Sequence, residues 1–478
     1  MSDVMNEQSG AKSPRYKQLA NKFVADIHAG RLKPGTRMPS LRQFARQQQV
    51  SISTAVSCYE ELKSLGWISA RPQSGFYISS AELPQDSSHP YPQWSQFVSQ
   101  VSTPKPAQTV FEHGPLGVSF SPLDEQAVRE METSFRRAIR RIGDRLSRYP
   151  DYQGEISLRQ ALANHFTQQG FPFQAGELVI SHGCLSAIKA ALETCTRPGD
   201  AVAINSPCFN GLLELLAQMS LNIVEIPSLD EGIDLAQLEF HLKAGNVQAG
   251  LFSTTFMNPQ GITMSVEQKK HLAKLANHYQ TPIIEDDVYL ELSHMGEFVL
   301  PAKYYDDEGY ILWCGSVSKT LSPSYRLGWC LPGRYLEIYL AKFSAGSFGV
   351  ATQIQLAIAD AIETGAYTRL LRKKQIQLLG QKQRYSDFLR QHLPKNSRIS
   401  QPQGGIVLWL QIPGLDVKAM EQDLQKHKVD IRLGPLFTSL SLYQDCLRIN
   451  IGYPLNEAVK EELQTLIAII RRHITSDD

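Results

Sequence analysis

The N-terminal part of the chain shows helical spacing of apolar residues followed by short strands. One helical stripe, which stops at Gly30, comprises Tyr16, Leu19, Ala20, Phe23 and Ile27. Ser40 can cap a second, short helix, and a third helix opens near Ser51 or Ser53. Two apolar runs then flank the polar stretch 71–75 as a hairpin. The pattern predicts a winged helix-turn-helix, an α+β domain.

From Phe111 onward, apolar runs that suit strands alternate with stretches that suit helices. The strand-like runs are 201–204, 222–226, 249–253, 282–285 and 310–314, and the helical stretches include 185–194 and 266–278. Such alternation predicts an α/β fold with a mostly parallel sheet covered by helices on both faces. Ligands of such sheets bind beyond the carboxyl ends of the strands.

A stretch without a sustained apolar period separates these two patterns. Residues 81–108 contain five prolines, five serines and five glutamines among 28 positions. This composition cannot bury enough surface to offset its ordering entropy, so it predicts a mobile tether that Trp94 and Phe97 could dock on a domain face. The chain is therefore predicted to be multidomain, with a module at 11–80, a flexible linker at 81–108 and a large domain at 109–478.

Composition places the chain among globular proteins of the cytoplasm. Of its 478 residues, 42% are hydrophobic and 20% are charged. Its seven cysteines are scattered and include no Cys-x-x-Cys pair, which is typical of reduced, mostly buried thiols. Neither an export signal nor a run of about 18 apolar residues is found, so we expect no membrane insertion.

Charge singles out the N-terminal module. The whole chain has a net charge of +1, but residues 11–80 carry eleven basic and three acidic residues, a net charge of +8. A local basic patch on a winged helix-turn-helix predicts double-stranded DNA as a partner, and a small basic interaction domain is the alternative. The candidate DNA-binding residues are Ser40, Arg42, Ser51, Ser53, Thr54, Arg71 and Gly75.

Three stretches of this module resemble the GntR family of winged-helix proteins. They are Gly-Arg-Leu-Lys-Pro-Gly-Thr-Arg-Met-Pro-Ser-Leu-Arg at 30–42, Val-Ser-Ile-Ser-Thr-Ala-Val at 50–56, and Tyr-Glu-Glu-Leu at 59–62 before Gly66. The match covers residues 14–79 and implies DNA binding. Members often carry arginine after the Val-Ser, where this chain has Ile52, so one base-reading contact is missing or comes from elsewhere.

The candidate chemistry centres on residues 315–328, where a strand-like run feeds a turn rich in glycine and serine. Lys319 stands there among the hydroxyls of Ser316 and Ser318, and Arg326 follows seven residues later. Hydroxyls, backbone N–H groups and a guanidinium suit a phosphate, and a desolvated lysine can form a Schiff base with an aldehyde. Pyridoxal 5′-phosphate (PLP) supplies both groups. The alternative is a solvated lysine.

Other candidate residues follow predicted strands. Asp286 could hold a pyridine nitrogen protonated, which makes the ring an electron sink, or it could simply cap a helix. Tyr289 and Asn258 could reach the phenolic oxygen of the ring, although the Asn258 stretch is equally a plain turn. The backbone N–H groups of Gly183, Cys184 and Leu185, at a strand-to-helix turn, suit a phosphate.

Two more side chains have a chemical and a structural interpretation. Phe209, on a turn, could stack on the pyridine face or belong to the core. Arg448, inside an apolar strand, needs a partner for its charge. That partner is either a substrate carboxylate or an acidic side chain of the protein in a structural salt bridge.

In their order along the chain, these motifs resemble the fold-type I aminotransferases over about 115–470. The set is Tyr149, Gly154-x-x-x-Leu-Arg159, Gly183-Cys184, Phe209, Asn258-Pro-x-Gly261, Asp286-x-x-Tyr289, Ser316-x-Ser318-Lys319, Arg326 and Arg448. The resemblance implies large and small subdomains with PLP as the cofactor. It implies that Lys319 is the catalytic Schiff-base lysine, that Asp286 contacts the ring nitrogen, and that Asn258 and Tyr289 contact the phenolic oxygen.

The same resemblance implies the remaining roles. Ser316, Ser318, Arg326 and the turn at Gly183, Cys184 and Leu185 take the phosphate; Phe209 stacks on the ring; and Arg448 receives the substrate α-carboxylate. Tyr149 matches a tyrosine that reaches the phosphate of the neighbouring subunit, which implies a homodimer. Many relatives carry glutamine at Leu185-Ser186, so a side-chain contact there is in doubt. No metal site is predicted.

A GntR-like module joined to an aminotransferase-like domain resembles the MocR subfamily of bacterial regulators. This implies a dimeric transcription factor that binds DNA through residues 11–80 and senses an amine or amino acid through Lys319. The alternative is a working aminotransferase of an amino acid and a 2-oxo acid, in which Lys319 also carries the proton between Cα and the cofactor. A β- or γ-eliminating lyase has less support from the motif order.

Overall fold

The computed structural model describes residues 15–28, 32, 35–64, 67–71, 75–78, 97–98 and 114–474. Contacts divide the chain into two compact units, 1–87 and 88–478. Within the predicted linker, the structure describes the backbone of Phe97 and Val98. The other linker positions, including Trp94, lie outside the described residues. So do Gly30 and Gly66, where two helices were predicted to end.

The described residues of the N-terminal unit form three helices and a hairpin. These elements are α1 (Arg15–His28), α2 (Leu41–Gln47), α3 (Ile52–Ser64), β1 (Ile68–Arg71) and β2 (Gly75–Ile78). The two strands are antiparallel, with Ile68 opposite Ile78. This order of elements confirms the predicted winged helix-turn-helix.

Aromatic packing holds this small unit together. Phe44 of α2 is fully buried, and its ring centroid lies 5.2 Å from that of Phe23 and 4.9 Å from that of Tyr59. Phe76 of β2 packs edge-on against Tyr59 at 5.3 Å. Since one cluster joins the helices to the hairpin, the position of the hairpin depends on the helical core.

In the C-terminal unit, nine strands of the described residues form the main sheet. They are β3 (Phe97–Val98), β4 (Val179–Ser181), β5 (Ala201–Ser206), β6 (Asn222–Leu229), β7 (Gly232–Ile233), β8 (Ala249–Phe252), β9 (Ile283–Asp286), β10 (Ile311–Ser316) and β11 (Gly328–Leu331). The order is β3-β6-β5-β8-β9-β10-β11-β4, and β7 pairs with β6. The inner strands from β6 to β10 are parallel, whereas β11 is antiparallel to both neighbours.

Helices cover both faces of this sheet, as predicted. Those described in the unit are α4 (Glu125–Ile142), α5 (Ile156–Gln168), α6 (Cys184–Cys195), α7 (Asn210–Gln218), α8 (Leu235–Lys243), α9 (Val266–His278), α10 (Leu336–Gly346), α11 (Thr352–Glu363), α12 (Ala366–His392), α13 (Glu421–Lys426) and α14 (Glu457–Arg472). Val202 and Ile204 of β5 pack with α6 and α7, whereas Ala201 and Ala203 pack with α8 and α9. Burial on both faces explains why the strands read as continuous apolar runs.

A second, smaller sheet forms the small subdomain. Its strands are β12 (Arg398–Ile399), β13 (Val407–Gln411), β14 (Arg432–Leu433) and β15 (Cys446–Asn450), in the antiparallel order β12-β13-β15-β14. Helix α12 joins the two subdomains, because Leu370 packs in the core of the large one and Tyr385 in that of the small one. At 1.5 Å per residue, its 27 residues span about 40 Å.

The edge of the main sheet is extended by two residues of the predicted linker. The short strand β3 pairs antiparallel with β6, with Phe97 opposite Val224 and Val98 opposite Ile223. The chain thus docks on the body at Phe97 through strand addition.

Among the described helices, none combines the length and the apolarity needed to cross a membrane.

The buried ring of Phe44 provides a test of the N-terminal core. Replacing Phe44 by Ala should lower the free energy of unfolding of this unit by about 3–5 kcal/mol, because a large cavity opens beside the rings of Phe23 and Tyr59. Ile52→Ala, at a position that is 55% exposed, is the control and should cost less than about 1 kcal/mol. Hydrogen exchange of the full chain measures both changes, and equal exchange in the two variants would contradict the assigned core.

Candidate active site and DNA-binding surface

The carboxyl edge of the main sheet collects the predicted chemical residues. Asp286 is the last residue of β9, and the neighbouring strand β10 ends at Ser316, three residues before Lys319. Cys314 of β10 lies opposite Asp286 in the parallel register. Because both strands end at the same edge, the lysine turn and the carboxylate meet there.

The amine of Lys319 is held in a desolvated environment. Its Nζ donates hydrogen bonds to the carbonyl oxygen of Ser119 at 2.5 Å and to its hydroxyl at 3.3 Å. Burial and the guanidinium of Arg448 lower the pKa of Lys319 to about 8, against the opposite effect of the Asp286 carboxylate. A substantial fraction of the amine is therefore neutral near pH 8, the state that attacks an aldehyde.

Asp286 is buried beside the first turn of α6. Its Oδ1 accepts hydrogen bonds from the thiol of Cys184 at 3.3 Å and from the N–H of Val288 at 3.4 Å. Burial raises the pKa of Asp286, although these two donors and the Lys319 amine oppose the shift. A cationic ring nitrogen is therefore a favourable partner for this carboxylate.

Glycines bring backbone segments close together at the N-terminus of α6. Gly183, the N-cap residue with φ +91°, makes no side-chain cap. A Cβ at Gly183 would lie 3.1 Å from the guanidinium of Arg326, and one at Gly328 would lie 2.5 Å from the carbonyl carbon of Gly183. Uncapped N–H groups beside a guanidinium form an anion site.

The two predicted serines are linked within the lysine turn. Ser316 is buried; its Oγ lies 2.7 Å from that of Ser318 and 2.9 Å from the carbonyl oxygen of Leu327, and it accepts the N–H of Ser318 at 3.0 Å. Ser316 therefore stabilises the turn as well. The hydroxyl of Ser318, which is less buried, is the better placed of the two to donate outward.

Arg448 is a buried cation that forms no ion pair in the described part of the C-terminal unit. Within residues 114–474, its hydrogen bonds go to Oδ1 of Asn258 at 3.0 Å and to the carbonyl oxygen of Gly117, and its Nε has no partner. Burial lowers the pKa of Arg448 to about 10. The structural salt bridge considered above is thus not formed in this part of the chain.

Tyr289 completes the cluster around the lysine. Its ring centroid lies 5.9 Å from Nζ of Lys319, and the side chain is buried. Burial raises the pKa of the Tyr289 phenol, so its hydroxyl remains a proton donor at neutral pH. The structure therefore gathers Lys319, Asp286, Asn258, Tyr289 and Arg448 at one sheet edge.

Three further predicted residues differ in their exposure. Phe209 is the N-cap residue of α7, partly buried against the core that includes α6. The side chain of Leu185 is 41% exposed, so only its backbone can serve the α6 N-terminus. Tyr149 is 80% exposed, and its ring packs against that of Phe348 at 5.5 Å.

Four predicted DNA-binding residues, Ser40, Arg42, Ser51 and Ser53, are exposed on the N-terminal unit, and Thr54 is partly exposed. The hydroxyl of Ser51 lies 2.8 Å from those of Ser53 and Thr54 and accepts the N–H of Thr54 at 3.1 Å, so it caps α3. Ser40 caps α2, at whose start Arg42 is exposed.

The hairpin carries the last two predicted DNA-binding positions. Gly75 begins β2 with φ +97°, and the backbone of Arg71 pairs with it, whereas the side chain of Arg71 lies outside the described part. Sequence reasoning did not single out Arg37, which is exposed and whose guanidinium lies 3.7 Å from the Cβ position of Gly75.

Sequence reasoning also missed residues that hold the lysine turn. Ser119 accepts from Lys319 across 200 positions of sequence. Lys374 of α12 is buried and donates to the carbonyl oxygens of Lys319 at 3.3 Å and Leu321 at 3.4 Å. Burial lowers the pKa of Lys374 to about 8. The sequence could have indicated Lys374, because it is a lysine on the buried face of a helix. No local feature of the sequence distinguishes Ser119.

A helix-turn-helix unit joined to a fold-type I aminotransferase unit defines the class of protein. Residues 115–466 match the family Aminotransferase class I and II, and residues 15–78 match Bacterial regulatory proteins, gntR family. The chain belongs to the aminotransferase class I and II family, and together with its gntR-family domain it has the MocR-like architecture, which confirms the predicted resemblance.

Similar proteins match either nearly the whole chain or about two thirds to three quarters of it. YdcR of Escherichia coli, named as an uncharacterized HTH-type transcriptional regulator, is 30% identical over 466 residues, which cover 96% of this chain and 100% of YdcR. Aromatic-amino-acid aminotransferase 1 of Thermococcus litoralis is 27% identical over 68% of this chain and 80% of its own length. A kynurenine aminotransferase structure from Pyrococcus horikoshii shares the fold, with a TM-score of 0.69 and 23% identity over 76% of this chain and 91% of its own.

The low pKa of Lys319 predicts a pH profile. In cofactor-free protein, the rate of condensation with PLP should rise about tenfold from pH 7 to pH 9 and then level off, because the amine loses its proton through pH 8. Stopped-flow absorbance measures this rate, and a lysine-containing peptide serves as the control. A rate that keeps rising through pH 10, as for an ordinary lysine, would contradict the assigned environment.

The glycine at 328 predicts a loss of cofactor affinity on substitution. Gly328→Ala should weaken PLP binding at least about tenfold, or ~1.4 kcal/mol, because the new Cβ pushes the α6 N-terminus away from Arg326. Gly176→Ala is the control, since a Cβ there has no atom within 4 Å. Absorbance titration gives both affinities, and unchanged binding by the Gly328 variant would argue against a phosphate at this turn.

Proposed function

We propose that this chain is a PLP-binding transcription regulator whose aminotransferase-like domain senses an amine or amino acid at Lys319. The observation that carries the proposal is the desolvated Lys319 amine, which donates to Ser119 and whose pKa is lowered to about 8, in a chain that also has a gntR-family domain. We assign the DNA-binding domain to 11–80, the linker to 81–108 and the sensor to 109–478.

The residues of this structure fit PLP. The uncapped N-terminus of α6 suits a phosphate beside Arg326, and the buried carboxylate of Asp286 suits the ring nitrogen. Tyr289 and Asn258 are neutral donors for the phenolic oxygen, and Phe209 is assigned to the ring face. When bound, PLP supplies an aldehyde carbon that amines attack and an electron-accepting ring.

Each residue then has a separate role. Lys319 supplies the neutral amine that holds the cofactor, and Ser119 orients that amine until it reacts. Arg448, which lacks a carboxylate partner in the described part of the unit, attracts the α-carboxylate of an amino acid. An amine ligand would release Lys319, and the freed charge near Arg448 would change the balance between subdomain arrangements.

The output is binding of double-stranded DNA by a homodimer in the cytoplasm. The exposed rings of Tyr149 and Phe348, with Ile156 nearby in sequence, form a surface that a second copy would cover. Two helix-turn-helix units in one dimer would read two half-sites of an operator. The free cysteines agree with a reducing compartment.

A second candidate function is transamination of an amino acid with a 2-oxo acid. The gathered set of Lys319, Asp286, Tyr289 and Arg448 favours it, as does similarity to the Thermococcus litoralis aminotransferase. Lys319 would then also move the proton at the substrate Cα. Fast, multi-turnover exchange with a 2-oxo acid would promote this function above sensing.

Arg42 provides a test of the DNA-binding surface. Arg42→Ala should weaken binding to DNA from upstream of the gene and reduce the slope of log affinity against log salt by about 0.9, as expected for one lost phosphate contact. Arg129→Ala, an exposed arginine of α4 paired with Glu125, is the control and should leave the slope unchanged. Fluorescence anisotropy measures both, and an unchanged slope in the Arg42 variant would reject this contact.

Lys319 provides a test of sensing. DNA affinity of the PLP-loaded protein should change on addition of a mixture of the common amino acids, whereas the Lys319→Ala variant should not respond. The same comparison by genome-wide mapping, with and without the cofactor, identifies the promoters. The proposal fails if the variant responds as the wild type does, or if no amino acid or amine changes DNA binding.

A further inference from the structure

A buried carboxylate outside the lysine cluster connects the two subdomains. Glu225 of β6 is 2% exposed and accepts hydrogen bonds from two separate segments. From the small subdomain, Thr438 Oγ1 donates at 2.8 Å and Ser439 donates through its N–H at 2.5 Å and its hydroxyl at 2.7 Å. From the large subdomain, the hydroxyl of Ser206 donates to Oε2.

All four of these donors are uncharged. Burying a carboxylate is costly unless several hydrogen bonds replace its hydration, and hydrogen bonds to an ionised group are stronger than neutral ones. Glu225 therefore binds the loop at 438–439 tightly to the end of β5. A carboxylate that stabilised only its own strand would not require hydrogen-bond donors from the small subdomain.

Each of the two segments that Glu225 joins lies next to a residue that we assign to ligand binding. On one side, Ser206 ends β5, and Phe209 follows three residues later. On the other side, the ring of Phe437 lies 5.3 Å from the guanidinium of Arg448. A hydrogen bond from the N–H of Cys208 to the carbonyl oxygen of Phe437, at 2.7 Å, joins the two segments a second time.

We propose that Glu225 is a positioning residue that fixes the distance between the cofactor-stacking turn at Phe209 and the carboxylate-binding Arg448. This inference rests on the proposed function, since it presumes PLP against Phe209 and a ligand carboxylate at Arg448. Glu225 itself touches neither group. It acts by holding Thr438 and Ser439, and through them Phe437. The consequence is selectivity for amines that also carry an α-carboxylate.

A purely structural role predicts a different outcome. If Glu225 only stabilised the fold, its loss would weaken all amine ligands and the cofactor alike. If it positions Arg448 against the ring, its loss weakens ligands that use both groups and spares those that use the cofactor alone. L-alanine and ethylamine separate these cases, because they differ by the α-carboxylate.

The test uses full-length, PLP-loaded protein and follows the absorption band of the cofactor as each ligand is added. The variants are Glu225→Gln and the nearly isosteric Thr438→Val, which removes one donor and buries no new charge. Glu231→Gln, at an exposed acid in the turn after β6, is the matched control. We expect at least a tenfold higher Kd for L-alanine in both variants, with the Kd values for ethylamine and PLP within about twofold of wild type.

Hydrogen exchange tests the connection without a ligand. In cofactor-free protein, the amides of Ser439 and Cys208 should exchange at least tenfold faster in Glu225→Gln than in the control, since one donates to Glu225 and the other to Phe437. Unchanged exchange at both amides would overturn the inference whatever the ligands do.

The outcomes separate this inference from the proposed function. If the wild type responds to neither ligand, or binds both equally, the proposed role of Lys319 or Arg448 fails and the inference fails with it. If the wild type prefers L-alanine and the variants keep that preference, only the role of Glu225 is rejected. Equal weakening of both ligands in the variants also rejects it, because it shows a scaffold role.

Discussion

The chemistry of the site depends on one electrostatic arrangement: a lysine amine whose pKa is lowered by burial and by a cation, beside a carboxylate. Lys319 has a pKa of about 8 because it is desolvated and faces Arg448, while Asp286 moderates the shift. With only one of these two neighbouring charges, Lys319 would have a different pKa. Without Arg448 the amine would be more basic, and without Asp286 it would lose its proton more readily. A reactive amine and an arginine that attracts carboxylates are thus two effects of one arrangement.

The fold creates this arrangement through the parallel sheet. β9 and β10 are neighbours in register, so Asp286 and the Lys319 turn emerge at one edge. Arg448 comes from the antiparallel small sheet and reaches Asn258 across 190 positions of sequence. The site therefore exists only when both subdomains are assembled, and this dependence couples its chemistry to their relative arrangement. Helix α12, whose Lys374 holds the lysine turn, and Glu225, which holds the loop near Arg448, are two physical links between the subdomains.

Local sequence was sufficient for much of this account. The winged helix-turn-helix and the run of buried strands follow from apolar spacing, and the helix predicted at 266–278 is found as α9 (Val266–His278). Lys319 and Asp286 were singled out because each follows an apolar, strand-like run, and Arg448 because its charge interrupts one. Ser119, Gly117 and Glu225 could not, because their roles arise from partners between 200 and 331 residues away and their own surroundings look ordinary. The docking of Phe97 on β6 was foreseen only as contact with a domain face, since edge pairing depends on which strand lies at the edge.

The most direct test of the central claim is to identify the amine that holds the cofactor. Full-length protein is loaded with PLP, reduced with borohydride, digested and analysed by mass spectrometry. The account predicts a pyridoxyl label on the peptide that contains Lys319 and on no other. Lys374 is the internal comparison, because it is also buried and burial lowers its pKa to about 8 as well. A label on Lys374, or no label at all, would contradict the account.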